Sequence, residues 1–420
     1  MRKAILVGVN TGESQEDFLY SMEELENLAE ACNITSVATI TQNLQRVHQA
    51  FYVGKGKLDE LKAIVAETEV DLVIFDDELS PSQIRNLEEG LNCEVKDRTM
   101  LILDIFAERA KTKESQLQVE VARLKYMMPR LIGSANHLSR QGGGGGTGLK
   151  NRGAGETKLE LDRRKIEIRI ASLSKELEKM VEIRHTQRRL RQKNQLPVVS
   201  LVGYTNAGKS TIMNALVERF NKDVDKKVFE KDMLFATLET SVRKIQLETK
   251  QELLLTDTVG FINKLPHHLV KAFRSTLEEA TEADLLVHVI DYSNPHYENH
   301  RKLTNSLLKE IGVQDIPMIY VFNKVDLTSH EYPLVIEDEV YLSAKGSGID
   351  QLLEVIKSHI FHDFVKCELL IPYSKGQIVS YFNNRYPVIS MEYEENGTKL
   401  VVECSQADAD KYNEYITHTF

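Results

Sequence analysis

Residues 203–210 read Gly-Tyr-Thr-Asn-Ala-Gly-Lys-Ser. A glycine, four residues, a second glycine, a lysine and a hydroxyl are the parts needed to hold a phosphate chain. The glycines let the backbone curl so that successive N–H groups converge on a β-phosphate. The N-terminus of the helix expected over TIMNALVERF would aid them. In that arrangement Lys209 bridges β- and γ-phosphates and the Ser210 hydroxyl ligates Mg2+. Gly203, Tyr204, Thr205, Asn206, Ala207, Gly208, Lys209 and Ser210 are therefore all candidate nucleotide contacts.

Three further motifs follow in order. Asp257-Thr258-Val259-Gly260 ends an apolar run. There the Asp257 carboxylate would hold Mg2+ through a water, and the Gly260 N–H would meet the γ-phosphate. Asn323-Lys324-Val325-Asp326 selects the base. Guanine offers a ring N–H and an exocyclic amine on one edge, and the Asp326 carboxylate can accept from both. Adenine would leave that carboxylate unpaired, at a cost of a few kcal/mol. Lys324 would cover the base plane. Ser343-Ala344-Lys345 would bring the Ala344 N–H to the guanine carbonyl. Between the first two motifs lies Phe235-Ala236-Thr237-Leu238-Glu239, where Thr237 is the expected Mg2+ and γ-phosphate ligand and Thr240 its competitor. The metal set is then Ser210 and Thr237 directly, with Asp257 through water. Lys209, Thr237 and Gly260 are the catalytic candidates. Many small GTPases place a glutamine just after the D-x-x-G motif to orient water. This chain has Phe261, so hydrolysis is expected to be slow alone and stimulated by a large partner. His267, His268, His288, His296 and His300 show no clean ligand spacing and read as surface or core residues.

The elements that must position these residues follow from hydrophobic patterning. Over 196–362, the runs VVSLVG, ELLLTD, DLLVHVID and PMIYVFN each precede a loop or helix. That is a doubly wound, mostly parallel α/β domain with its functional loops at the carboxyl ends of the strands. Residues 1–108 alternate strand-like KAILVGV and DLVIFDD with helical SMEELENLAEAC and a helix start at Ser80-Pro81, predicting a second, N-terminal α/β domain. GKGK at 54–57 opens a helix, either as a plain turn or as a phosphate-binding one.

Residues 109–195 differ in kind. Leu117, Val121, Leu124, Met128 and Leu131 form one seam; Ile166, Ile170, Leu173, Leu177 and Met180 form another. The pair predicts an antiparallel helical hairpin whose second helix, over 156–192, would run about 55 Å. Its tip, SRQGGGGGTGLKNRGAGET at 139–157, is too glycine-rich to pack. It is either a flexible linker or a mobile element that reaches a polyanion, with Arg140, Lys150, Arg152 and Lys158 as RNA-contact candidates. Residues 363–420 predict a small α+β domain: a strand at CELLIPY, a helix at KGQIVSYFNN, a hairpin turning at Asn396-Gly397, and a final helix at QADADKYNEYI.

Charge supports the hairpin as a binding element. The chain's net charge is −10. Residues 109–195 carry 21 Lys and Arg against 9 Asp and Glu, while the rest carries 32 against 54. A basic segment in an acidic chain points to a polyanionic partner, nucleic acid first. No run of about 18 apolar residues predicts a membrane span, and the start turns polar too soon for a secretory signal. No prenylation cysteine stands near the C-terminus. Cys32, Cys93, Cys367 and Cys404 have no paired spacing and read as reduced thiols.

The chain resembles the HflX family of ribosome-associated GTPases. The resemblance rests on GKGKLDEL (54–61), DRTMLILDIFAERAKTKESQLQVEVARLKYMMPRL (97–131), the glycine-rich tip, GAGETKLELDRRKI (153–166), GYTNAGKS and DTVGFI. It implies a GTPase using GTP and Mg2+, in which a G domain is joined to an N-terminal α/β domain and a helical hairpin. It also implies binding to the large ribosomal subunit and its rRNA, with the hairpin tip toward the peptidyl-transferase region. The roles implied are splitting or rescue of stalled ribosomes under stress, heat shock above all, and subunit biogenesis. The family carries the same apolar residue as Phe261. The expected setting is cytoplasmic and partly ribosome-associated, with a monomer when free. Two other readings remain: an anti-association factor that blocks the subunit surface, and an RNA-remodelling ATPase through the N-terminal domain. For the latter, residues 1–108 hold no second phosphate loop.

Overall fold

A computed structural model of the chain describes residues 2–141, 150–193, 196–220, 235, 241–247, 251–266, 269 and 279–420. Over 131–141, 150–159 and 184–193 the description is of backbone only. The chain forms two compact units. One comprises residues 1–188 with 231–239 and 262–275; the other comprises 189–230, 240–261 and 276–420.

The first unit is built on a parallel sheet of order β2-β1-β3-β4, with β1 Arg2–Asn10, β2 Ile34–Asn43, β3 Leu72–Phe75 and β4 Glu94–Asp97. Ala4 to Val7 and Leu72 to Phe75 are fully buried, as strands covered on both faces require. Helix α1 (Gln15–Ala31) is capped by Ser14, whose hydroxyl accepts from the Asp17 N–H. After α2 (Lys55–Thr68), α3 (Pro81–Leu91) starts at a reciprocal box between Ser80 and Gln83, with Pro81 in its first turn. Because β2 lies on one side of β1 and β3 on the other, the topological switch falls between β1 and β3.

Helix α4 (Arg98–Arg109) then leads into α5 (Lys113–Gln141) and α6 (Lys150–Lys193). Lys113 pairs with Glu176, and Glu120 with Arg169. Seven residues forward on one helix match seven back on the other, so the hairpin is antiparallel. Its seam buries Leu117, Val121 and Leu173, with Leu124, Ile170, Leu177 and Met180 packed around them. The expected seam is realised in its middle: Met128 and Ile166 are half-buried and outside that cluster. The 44 residues of α6 give it a length of about 66 Å. The expected glycine-rich loop at 139–157 is narrower than the composition suggested. Helical backbone reaches Gln141 and resumes at Lys150, because Gly153 and Gly155 each cost a helix only about 1 kcal/mol. Residues 142–149 lie outside the described residues, as do the side chains of Arg140, Lys150, Arg152 and Lys158.

The second unit carries a seven-stranded sheet of order β10-β11-β9-β8-β5-β7-β6. Its parallel members are β5 (Val198–Gly203), β7 (Glu252–Asp257), β8 (Leu285–Asp291), β9 (Met318–Asn323) and β11 (Glu339–Tyr341). The edges are antiparallel: β6 (Ser241–Gln246) on β7 and β10 (Leu334–Ile336) on β11. Both edges went unread in the sequence, since SVRKIQ is mostly polar and LVI is only three residues long. Helices α7 (Lys209–Phe220), α8 (Tyr297–Glu310) and α9 (Ile349–Ile360) cover the sheet, and one apolar core joins its strands to α7 and α9.

The same unit ends in an antiparallel sheet of order β13-β14-β12-β15, from β12 (Phe364–Ile371), β13 (Val388–Glu394), β14 (Gly397–Ser405) and β15 (Ile416–Thr419), with α10 (Gly376–Arg385) and α11 (Gln406–Lys411). The expected final helix stops at Lys411. Residues 416–419 instead add a strand to β12, opposing Ile416 to Leu369. Cys367 and Cys404, remote in sequence, bring their Sγ atoms to 3.5 Å, free and fully buried.

Candidate active site

Four of the nucleotide motifs follow the carboxyl end of a parallel strand. Gly203 closes β5, Asp257 closes β7, Asn323 closes β9, and Ser343 stands two residues past β11. This is the end of an open α/β sheet where ligands bind. The loop 204–208 then passes directly into α7 at Lys209, so the first N–H groups of that helix face the loop.

Gly208 has φ +96°, and a Cβ there would fall 2.2 Å from Asn323 Nδ2. Only glycine lets the loop turn this close to the base motif. Asn323 uses that proximity. Its Nδ2 donates to the Ala207 carbonyl at 2.9 Å, and its Oδ1 accepts from the Ala344 N–H at 2.9 Å. One buried side chain thus ties the phosphate loop, the Asn-Lys-Val-Asp turn and the Ser-Ala-Lys loop together. Val325 is buried beneath the turn, while Asp326 is exposed. Lys324 takes a left-handed conformation, and its Nζ pairs with Asp291 at 2.8 Å. Ser343 is buried, its N–H bonded to the Ser347 carbonyl, and Lys345 is exposed.

Lys209 lies inside the loop, donating to the carbonyls of Gly203 at 3.1 Å and Tyr204 at 2.8 Å. Burial pushes its pKa down to about 8, against the opposing pull of Asp257. The Ser210 hydroxyl donates to the fully buried Asp257 carboxylate at 2.6 Å. Hydroxyl and carboxylate side by side form a hard-oxygen pair that fits Mg2+, which when bound neutralises phosphate charge. The buried Thr205 hydroxyl has no hydrogen-bond partner among the described residues, leaving polar capacity in the loop for a ligand. Thr258 is spent on structure, its hydroxyl bonding the Leu201 carbonyl at 2.7 Å, and Val259 is buried beside it.

Gly260 and Phe261 press against the loop. A Cβ on Gly260 would stand 2.8 Å from Thr205 Cα and 3.0 Å from Lys209 Nζ. Phe261 forms a short parallel bridge: its N–H donates to the Gly203 carbonyl at 3.1 Å, and its carbonyl accepts from the Thr205 N–H at 2.7 Å. Its ring is buried, so this position presents no polar side chain to a water. Thr237, its competitor Thr240, and Ala236, Leu238 and Glu239 lie outside the described residues; Phe235 alone of that stretch is described.

His300, read from the sequence as a surface or core residue, proves buried, and its partner was not legible there. His300, on α8, stacks on Tyr204 with ring centroids 3.8 Å apart and planes 6° from parallel. Burial pushes its pKa down to about 4, so it is a neutral platform under the loop. His288 is likewise buried in the sheet, its pKa pushed down to about 3 by desolvation. His267 and His268 lie outside the described residues.

A strand, glycine loop and helix beside an Asn-Lys-x-Asp turn on a mostly parallel sheet define a P-loop GTPase. Residues 198–324 match the family model described as "50S ribosome-binding GTPase". Residues 19–107 match "GTP-binding GTPase N-terminal" and residues 109–191 match "GTP-binding GTPase Middle Region". The chain is 44% identical over 415 residues to GTPase HflX of Caldanaerobacter subterraneus subsp. tengcongensis, spanning 99% of this chain and 94% of that one. It is 39% identical over 392 residues to GTPase HflX of Escherichia coli K12, spanning 92% and 89%. A crystal structure of a GTP-binding protein from the archaeon Sulfolobus solfataricus in complex with GDP is 25% identical, covering 86% of this chain and 99% of that one, with a TM-score of 0.44. The chain belongs to the HflX family of GTPases. It binds GTP and GDP with Mg2+ and hydrolyses GTP. Among the described residues, no helix is long and apolar enough to cross a membrane.

Proposed function

We propose that this GTPase acts in the cytoplasm on the large ribosomal subunit, binding rRNA through its basic hairpin and splitting or rescuing stalled ribosomes under stress. The observation that carries this reading is the charge of the hairpin, 21 cationic against 9 anionic residues over 109–195 in a chain of net charge −10. The family description of residues 198–324 and the HflX relatives agree with it.

In this reading Lys209 holds the β- and γ-phosphates, Ser210 and Thr237 ligate Mg2+ with Asp257 behind a water, and Gly260 donates its N–H to the γ-phosphate. Asp326 accepts from guanine, Lys324 flanks the base, and Ala344 meets its carbonyl. Phe261, buried and apolar, orients no water, so turnover depends on a group supplied by the ribosome. The test is cosedimentation with separated ribosomal subunits in GTP and in GDP, comparing the whole chain with one lacking residues 141–155. Binding to the large subunit in GTP, reduced by the deletion, is expected. Equal binding of both chains would remove the hairpin tip from the account.

A further inference from the structure

The antiparallel sheet that ends the second unit has one short edge and one long edge. β15 is four residues long and irregular in register against β12. β13, at the other end of the order, is seven residues long and holds neither proline nor lysine. Among the described residues it pairs with β14 alone. An edge strand of this kind leaves the N–H and C=O of alternate residues open to a further strand. Folded chains usually blunt such edges with proline, lysine or a very short strand. Here the blunting is limited to an irregularity between Val388 and Ser390.

The two faces of β13 differ in chemistry. Met391 opposes Leu400 and Tyr393 opposes Thr398, both buried, so Met391 and Tyr393 share the face that carries the sheet's core. Asn383 of α10 reaches that face too, its Nδ2 donating to Met391 Sδ at 3.9 Å. Yet Met391 is 42% exposed and Tyr393 73%. The core stops at β14: Leu400, Val402 and Cys404 belong to it, and Met391 and Tyr393 do not. Glu392 and Glu394 alternate with them on the other face, with Glu392 opposite Lys399. Lys399 is shared with Glu368 at 3.0 Å and Glu394 at 3.9 Å, so it does not neutralise the row.

Charge narrows the occupant. Residues 388–396 carry three glutamates and no lysine or arginine. Two such edges brought together would set like charges against each other, which disfavours a second copy of the chain. Nucleic acid is repelled in the same way. An extended polypeptide fits. Its backbone meets the open edge, its apolar side chains cover Met391 and Tyr393, and its cations meet Glu392 and Glu394. Successive side chains of a strand point to opposite faces, so apolar and basic residues must alternate along it.

We propose that the outer edge of β13 is a docking site for a basic, extended segment of a partner protein, in which lysine or arginine alternates with apolar residues, and which joins the terminal sheet as a fifth strand. Backbone hydrogen bonds supply affinity, and the alternation supplies specificity. The glutamates also steer the cationic segment on approach, so binding weakens as salt rises.

The test titrates the full chain against a fluorescent decapeptide in which lysine and valine alternate, read by anisotropy at low salt. A control peptide of the same composition has its lysines grouped before its valines. The alternating peptide binds roughly fivefold or more tightly than the control. Glu392→Lys combined with Glu394→Lys weakens it roughly fivefold or more, and Tyr393→Ser weakens it by less. Charge reversal at the exposed Glu23 and Glu26 of α1 changes nothing. Circular dichroism and unchanged GTP turnover confirm that each variant is folded. Absence of binding, equal binding of the two peptides, or binding that survives the reversal on β13 overturns the proposal. An oligouridylate that displaces the peptide assigns the edge to nucleic acid and overturns it as well. So does a dimer in light scattering that Tyr393→Ser turns into a monomer, which assigns the edge to a second copy.

Discussion

The chain contains two parallel α/β sheets that end in opposite chemistry. In the second unit the strand ends carry glycines, backbone donors and a buried lysine, with a carboxylate and hydroxyl for a cation. That end is built to receive a phosphate chain. In the first unit the corresponding end carries Glu24, Asp76 and Asp77, balanced by Arg98 and Lys264. Carboxylates there repel phosphate, and the cations are already spent. In the GKGK turn the Gly54 N–H is taken by Gln42 Oε1 at 2.9 Å. The topology that supplies a ligand site is the same in both. The side chains at the strand ends decide whether it takes a ligand or a piece of its own chain.

The largest effects should separate the two ends by activity. Lys209→Met should lower GTP hydrolysis by roughly 10³-fold or more, as removal of a phosphate-stabilising cation does. Asp326→Asn should weaken GTP by roughly 10³-fold through two lost charged hydrogen bonds. Calorimetric titration should then find one guanine nucleotide per wild-type chain and none for Lys209→Met. A second nucleotide retained by Lys209→Met would place a site in the first unit and break the comparison.

Stability should invert the pattern. Arg98→Met leaves buried carboxylates unbalanced and should cost about 3–5 kcal/mol in denaturant unfolding. Lys209→Met removes a charge that burial disfavours, so it should leave the thermal midpoint unchanged or higher. Within the hairpin, Leu173→Ala should cost about 2–4 kcal/mol. Glu120→Ala, which breaks an exposed pair with Arg169, should cost under about 1 kcal/mol.

Lys209 also predicts a pH effect. In the free chain its pKa lies near 8, below the usual 10.5, and bound phosphates raise it again. Nucleotide binding above pH 8 therefore takes up a proton, and affinity should fall by up to about tenfold per pH unit there. Lys209→Arg, which stays charged, should flatten that slope; an equally steep slope in this variant assigns the titration elsewhere.

What was legible in the sequence was local. Gly208, Lys209 and Ser210 stand together in the chain, so their loop declared itself. The long apolar strands and the middle of the hairpin seam did so through periodicity. The rest depends on partners far away in sequence. Lys264 and Asp76 are 188 residues apart, and no spacing connects them. The Tyr204–His300 stack and the Cys367–Cys404 contact are of the same kind. Strands β6 and β15 were missed because SVRKIQ and ITHT gain their stability by completing an existing edge rather than from their own pattern.

The most direct test of the whole account is gradient sedimentation of intact ribosomes mixed with the full chain and a slowly hydrolysing GTP analogue, against GDP. Separation into subunits with the chain on the large one, in the analogue alone, is the predicted result. Ribosomes that stay whole, with the chain bound only to free large subunits, would contradict splitting and favour a factor that merely blocks reassociation.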